Sequence, residues 1–420
     1  MRRRLFLAAA GGWALSGCDT AEAPRLRPAA RRPPASRLPP GVRYEEHTVR
    51  LPAGPVRHQV LSVAPDAPVK LGAVHGARLD SAETVRSMAK RAGAVAAVNG
   101  SFFDIRTSAV FSGYDGDPLG LYVEHNALLS EAASGRTALV LGEDAVPGRI
   151  TEARSVSRVV AEDGAARPID GVNRMPGRIV GCGGVGGDVL QGQRHTTTAP
   201  AHNKLCTDRD ELVLFTPQWG PEAARAPAGT VEAVLAAGGR VVRLRTPAGG
   251  PVPVGGRVLQ GTGTAAAWLR RHALPDTVLR ITSQVYDSEG RRLSGKNLTV
   301  LQAGPRLLRD GRVDINIEAN GLSPTALSQR HPRTLAGFTR DGTLLLMTVD
   351  GRDPGTSIGV TMAEAAELMR AWRAHDALNL DGGGSTTMIV LGQLRNRPRG
   401  ADGARVSERA VADALVVVAA

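Results

Sequence analysis

Three cysteines in 420 residues are too few for a disulfide-dense scaffold, and aromatic side chains supply only 3% of the chain. No uninterrupted apolar run approaches the roughly 20 residues that cross a bilayer as a helix, which excludes a polytopic membrane protein. A shortage of apolar residues, the mark of a disordered chain, is not found: 42% hydrophobic and 22% charged residues suffice for a sizeable core. Acidic residues are outnumbered, 40 against 52 Lys and Arg, for a net charge of +12. That excess suggests a nucleic acid or an anionic surface as partner, depending on where it sits.

Most of it sits at the N-terminus. Arg2, Arg3 and Arg4 precede an apolar stretch from Leu5 to Leu15 and then small residues, the order of an export signal over residues 1–18. Leu15-Ser16-Gly17-Cys18 is similar to a bacterial lipobox, implying cleavage before Cys18 and a lipid on its sulfur. Arg3-Arg4-Leu5-Phe6-Leu7 also resembles a twin-arginine signal. From 19 to 43 the chain carries six prolines and six arginines with few large apolar residues, an extended and solvated tether. Residues 1–43 hold nine Arg and two acids, leaving only +5 for the body. No nucleic-acid partner is therefore expected. The tether would instead face an anionic membrane surface or wall polymer, with the protein lipid-anchored to a bacterial cell membrane on its extracytoplasmic side.

With Cys18 lipidated, Cys182 and Cys206 remain as one pair in an oxidising compartment and are expected to be bonded, stabilising the fold by about 3 kcal/mol. Zinc on these cysteines with His195 and His202 fits no compact module. Residues 44–420 contain no second linker and read as one large domain, with a disulfide-tied insertion at about 174–208. Short apolar runs bounded by Gly, Pro or Asp predict strands at Val56–Val63, Ala138–Leu141, Glu211–Phe215, Val241–Leu244, Val278–Thr282 and Thr343–Val349. Good helices are few, so the expected class is a sheet-rich, mixed α/β fold. Two helices share a design. Ser81 precedes Val85, Met88, Ala89 and Ala92; Thr361 with Glu364 forms a capping box before Ala365, Leu368, Met369 and Trp372. Each feeds a short apolar segment, Ala94–Val98 or Ala377–Leu380, that ends in a polar-glycine turn, where α/β folds place ligands.

Those turns are Asn99-Gly100-Ser101 and Asp381-Gly382-Gly383-Gly384-Ser385-Thr386-Thr387. Three consecutive glycines cost backbone entropy and suit close approach of a ligand to the main chain. Free N–H groups of Gly382, Gly383 and Gly384 would cradle a phosphate, with hydroxyls from Ser385 and Thr386. A plain hairpin turn is the alternative.

Around these turns stand Ala97-Val98-Asn99-Gly100-Ser101-Phe102-Phe103-Asp104, Gly304-Pro305-Arg306-Leu307-Leu308, His331-Pro332-Arg333-Thr334 and Asn379-Leu380-Asp381-Gly382-Gly383-Gly384-Ser385-Thr386. In this order, across about residues 80 to 418, they resemble the phosphodiester glycosidase family. The resemblance implies hydrolysis of a sugar-1-phosphodiester to free sugar and phosphomonoester, and leaves the substrate open because the insertion lies outside the shared pattern. Sugar-1-phosphate linkages in cell-wall or capsular polymers are the expected substrates. A surface glycan-binding or wall-attachment protein using the same pocket without turnover is the alternative.

That chemistry assigns roles. Phosphate is a good leaving group, so stabilising its charge matters more than protonating it. Arg306 and Arg333 are the candidates, since a guanidinium binds phosphate oxygens bidentately. Asp381 is the carboxylate expected to act as base or nucleophile at the anomeric carbon. Leu335–Arg340 and Thr343–Val349 read as a hairpin with a two-residue Asp341-Gly342 turn, a register that sets Arg333 opposite Asp350. Asp350 is then a structural ion-pair partner, a catalytic acid or a metal ligand. Asn99 would hold a sugar hydroxyl or simply its own turn, with Gly100 and Ser101 beside it. Asp104 is a second acid or a metal ligand, and His331 a secondary candidate. Asp115 and Asp117 offer a hard cation such as calcium two carboxylates. Phe102, Phe103, Phe111, Tyr114 and Tyr122 cluster after the first turn; burial is the better reading for each, with one or two left to stack on a sugar ring.

Overall fold

The computed structural model describes residues 38–105, 114–133, 135–142, 148–183, 186–197, 199–202, 204–403 and 405–420. The leader, Cys18, most of the tether and Phe111 lie outside the described residues. Regular structure starts with strand Val42–Leu51, slightly ahead of the expected boundary at 44.

Among the described residues 29 strands accompany four α-helices. All strand ladders are antiparallel except that of Gly171–Val172 with Leu212–Phe215. The fold is therefore mainly β, a correction to the mixed α/β expectation. The helix-then-strand order is real, but each strand enters between antiparallel neighbours. Ala94–Asn99 lies between Met388–Val390 and Asp413–Ala419. Ala374–Asn379 lies between Arg333–Thr339 and Arg306–Arg309.

Alternation of side chains explains why the central strands read as continuous apolar runs. In Leu344–Val349, Leu344 and Leu346 enter a central core with Ala96, Leu301 and Leu415. Leu345, Met347 and Val349 face the other way, under Ala365, Leu368 and Met369 of helix Met362–Ala371. Strand Asp413–Ala419 is covered twice in the same manner, Leu415 and Val417 inward, Ala414 and Val416 beneath helix Val85–Arg91. A third sheet, with Leu212–Phe215, Val231–Leu235 and Arg257–Gly261, packs on helix Gly263–His272.

The capping box at Thr361 is complete, with both reciprocal hydrogen bonds made. The other helix is capped by Thr84 instead of Ser81. Glu83–Thr84 is held extended by pairing with Ala410–Val411, which delays the helix to Val85. The insertion forms its own three-stranded sheet, Ile179–Val180, Leu205–Thr207 and Val189–Leu190. Cys182 and Cys206 are disulfide-bonded, tying its base shut.

The hairpin register differs from expectation by one residue. Thr339 N–H donates to Thr343 O at 3.0 Å, so the loop is the three residues Arg340-Asp341-Gly342, with Gly342 at φ +86°. A three-residue loop closed by a left-handed glycine competes with the two-residue turn, and here it wins. Arg333 consequently pairs with Val349, and Asp350 is displaced beyond it.

Candidate active site

The two polar-glycine turns come from different sheets and are bolted together by one buried amide. Asn99 Nδ2 donates to Asp381 O at 2.7 Å. Its Oδ1 accepts from Thr334 Oγ1 at 2.6 Å and from Thr387 N–H at 3.1 Å. Asp381 N–H returns a bond to Gly100 O at 3.0 Å. An amide so committed, with no exposed surface, positions the turns and is not available to a sugar hydroxyl. Gly100 and Ser101 are likewise structural. A side chain at Gly100 would overlap Asp413 Oδ1, and Ser101 donates to Asp413 through both its N–H and its hydroxyl.

Asp413 is the carboxylate that sequence reasoning missed. It opens strand Asp413–Ala419 as the single charge in an otherwise apolar run, a signal that was available. Burial pushes it up to about 6 despite the Ser101 bonds, with Glu124 and Asp381 adding repulsion. Burial likewise raises Asp381 to about 6, opposed by the Ser385 hydroxyl, the Arg409 charge and the Gly382 N–H. Gly382 N–H donates to Asp381 Oδ1 at 2.9 Å. Two interacting carboxylates, each ionising near pH 6, form an arrangement suited to base chemistry at neutral pH.

Beside Asp381, whose neighbours Gly382 and Gly383 line it, opens a cavity of about 790 Å³, the size of a small-ligand site. Gly382, Gly383, Asn379, His331, Arg333 and Arg352 form one part of its wall, and Ala201, His202 and Lys204 of the insertion another. Arg333 is buried; its Nε donates to Val360 O at 3.2 Å and a terminal nitrogen to Gln329 O at 3.1 Å. It has no carboxylate partner among the described residues, and burial alone lowers it to about 10. A buried guanidinium left without a counterion is costly unless an anion arrives. Two further arginines stand by. A Cβ at Gly383 would lie 3.1 Å from an Arg352 nitrogen, and one at Gly384 would lie 2.8 Å from an Arg409 nitrogen. Arg352 holds φ +60°, a conformation that costs energy in a residue with a long side chain. Both arginines escaped sequence reasoning because they stand outside the glycine motif, Arg352 in the loop after Leu344–Val349 and Arg409 just before Ala410–Val411.

Several polar atoms at this site are buried and unpartnered: Asn379 Oδ1, His202 Nδ1, and the hydroxyls of Ser385, Thr386 and Thr387. Ser385 lies against Asp381 without a well-directed bond to it. His331 is half-buried in the wall, and burial together with Arg333 and Arg352 lowers its pKa, keeping the imidazole neutral. Phe102 packs its ring on His202 at 4.4 Å between centroids, whereas Phe103 and Tyr122 are core. Tyr114 packs edge-on against Trp219.

Other expected site residues are drawn elsewhere. Arg306 is a buried structural cation, bonded to Glu152 at 3.0 Å and 3.5 Å from Asp376, so its charge is already neutralised. Asp350 accepts from Arg57 at 2.8 Å, Gln59 at 3.2 Å and the Arg397 N–H at 2.7 Å, which leaves it saturated. Asp104 lines a separate small cavity with Asp117. The glycine turn is no cradle of successive free N–H groups, because two of its three glycine donors are used, Gly382 on Asp381 and Gly383 on Pro332 O, and Ser385 and Thr386 donate back into the turn. Its glycines serve close approach instead, since a Cβ on Gly382 would meet Pro332 O at 2.9 Å.

The fold and site together define a mainly antiparallel β protein in which two carboxylates, Asp413 buried and Asp381 part-buried, stand beside a cavity walled in part by Arg333 and Arg352. Residues 229–418 match the phosphodiester glycosidase family, and that part of the chain belongs to it. Among curated relatives, mouse N-acetylglucosamine-1-phosphodiester alpha-N-acetylglucosaminidase is 34% identical over 101 residues, 22% of this chain and 19% of that protein. The bovine protein of the same name is 30% identical over 161 residues, 36% of this chain and 29% of that protein. The chain thus spans less than a third of the length of the curated relatives it matches. Among solved structures, a Burkholderia pseudomallei K96243 protein assigned as exported superimposes with a TM-score of 0.75 at 30% identity, over 87% of this chain and 74% of that one.

Proposed function

We propose that the protein hydrolyses the C1–O bond of a sugar-1-phosphodiester. Water adds across that bond, its oxygen going to the sugar carbon and its protons to the products, so that free sugar and a phosphomonoester result. Arg333 binds the phosphate, helped by Arg352 and Arg409, and stabilises the charge that develops on the leaving oxygen. Asp381 acts at the anomeric carbon, its pKa held near pH 6 by burial. The observation that carries this reading is Arg333, a buried cation without a counterion among the described residues, on the wall formed by Gly382 and Gly383.

N-acetylglucosamine is the first sugar to try, since the mammalian relatives are named for it. Sugar-1-phosphate linkages of cell-wall or capsular polymers are the proposed natural substrates. The proposed location is extracytoplasmic, with a lipid on Cys18 as anchor. The Cys182–Cys206 bond fits an oxidising compartment, as does the likeness to a protein assigned as exported.

The test is release of N-acetylglucosamine from a synthetic α-1-phosphodiester. Wild type is expected to turn over, with Asp381→Asn slowed roughly 10²- to 10⁴-fold. No turnover by wild type on a panel of such diesters, with retained binding to isolated wall polymers, would instead indicate a surface glycan-binding protein.

A further inference from the structure

A second cavity, of about 30 Å³, lies between the first glycine turn and the insertion. It has room for a single ion or water. Four carboxylates line it, Asp104, Asp117, Glu131 and Asp188, against two guanidiniums, Arg174 and Arg178. Arg174 is already held by Glu131 at 2.5 Å and, behind the wall, by Glu211 at 2.5 Å. Arg178 reaches only Asp104 Oδ2, at 3.4 Å. Counted as formal charges the wall is negative, although burial pushes Asp104, Asp188 and above all Asp117 upward from the usual carboxylate range, and beyond the wall Asp188 brings an oxygen within 4.8 Å of carboxylate oxygens from Asp208 and Glu211.

The decisive observation is a pair of orphaned oxygens. Asp104 Oδ1 and Asp188 Oδ1 are buried and accept no hydrogen bond, on side chains that are 3% and 2% exposed. Asp188 Oδ2 is fixed by the Gly183 N–H at 3.0 Å, so its free oxygen is held by a bonded partner atom. Unpartnered carboxylate oxygens on two residues that line one small cavity are a heavy cost if the cavity is dry or filled by neutral groups, and a small one if a cation fills it. Oxygen-only donors in an adaptable arrangement suit calcium better than zinc, which prefers nitrogen and sulfur.

We propose that this cavity binds one calcium ion, with Asp104 and Asp188 as ligands and Asp117 completing the acidic wall. Asp104 and Asp117 belong to the body of the fold, and Asp188 to the disulfide-tied insertion. The ion thus joins the body to the same insertion that places His202 and Lys204 in the substrate cavity.

The experiment uses the purified full-length protein, dialysed against chelator and then returned to calcium chloride. Wild type is expected to take up one calcium per chain by elemental analysis and to rise in Tm by several degrees. Asp104→Asn and Asp188→Asn should each lose both responses while keeping the far-UV circular dichroism of the chelated wild type. Asp310→Asn is the control, because Asp310, His375 and Asp376 form a separate, more exposed acidic group. Calcium uptake lost in Asp310→Asn and kept in Asp188→Asn would overturn the assignment. So would a wild type that binds no calcium and shows the same Tm with and without it, a result that needs no variant to fold.

Discussion

At the scale of single residues the account rests on Asp381, Asp413 and Arg333. Both aspartates have folded-state values raised from 3.8 to about 6, so between those limits the native state binds more protons than the unfolded chain. Stability contributed by this pair therefore falls as pH rises through that window and stays low above it. Asp381→Asn should consequently raise Tm at pH 7.5 while leaving it unchanged near pH 3.5, although it slows turnover; thermal melts at the two pH values check this, and an equal shift at both would contradict it. The same pair sets an activity limb. The rate should rise with pH through about 6 as Asp381 ionises, and Asp413→Asn, which removes a repelling charge, should move that limb to lower pH. A kcat/KM profile in Asp413→Asn with the wild-type limb would show that Asp413 is only structural. Arg333→Ala is expected to cost roughly 10²-fold or more in kcat/KM, through loss of charge stabilisation on the leaving phosphate. Arg306→Ala should instead lower Tm, because it empties a buried site and, among the described residues, leaves Glu152 with only Arg309 and Asp376 with only His375.

At the scale of elements, the sequence was legible wherever burial on two faces forced continuous apolar runs. Leu344–Val349 and Thr137–Leu141 fall within a residue of their expected limits for that reason. The box at Thr361 was legible because its partners are three residues apart. Thr361→Ala should therefore cost about 1 kcal/mol in chemical denaturation, with little effect on sugar release. What local pattern could not decide was competition between near-equivalent turns. Asp341-Gly342 satisfies a two-residue hairpin, yet the three-residue loop with Gly342 left-handed is the one formed, and a one-residue slip took Asp350 away from Arg333. Arg306 departs from its expected phosphate-binding role for a related reason. A guanidinium in a motif has the right chemistry for phosphate, but Glu152, 154 residues earlier, had first claim on it, and long-range pairing leaves no local trace.

At the scale of the whole molecule, the site exists because strand ends from two sheets are joined through Asn99, and the insertion adds part of the cavity wall. The cysteine count was enough to anticipate the Cys182–Cys206 bond, and the ordered motifs were enough to anticipate the family. The roles of Arg352, Arg409 and Asp413 needed the fold, since the two arginines reach the Gly383-Gly384 turn and Asp413 reaches Ser101 from segments outside those motifs. Cys182→Ser with Cys206→Ser should lower stability by about 2–4 kcal/mol. It should also raise KM more than it lowers kcat, because the insertion forms wall and not chemistry. The central claim is that water attacks the sugar carbon and not the phosphorus, and turnover of N-acetylglucosamine α-1-phosphodiester in ¹⁸O-labelled water tests it most directly. Mass spectrometry of both products should find the label in the free sugar and none in the phosphomonoester; label in the phosphomonoester would show P–O cleavage and contradict the account.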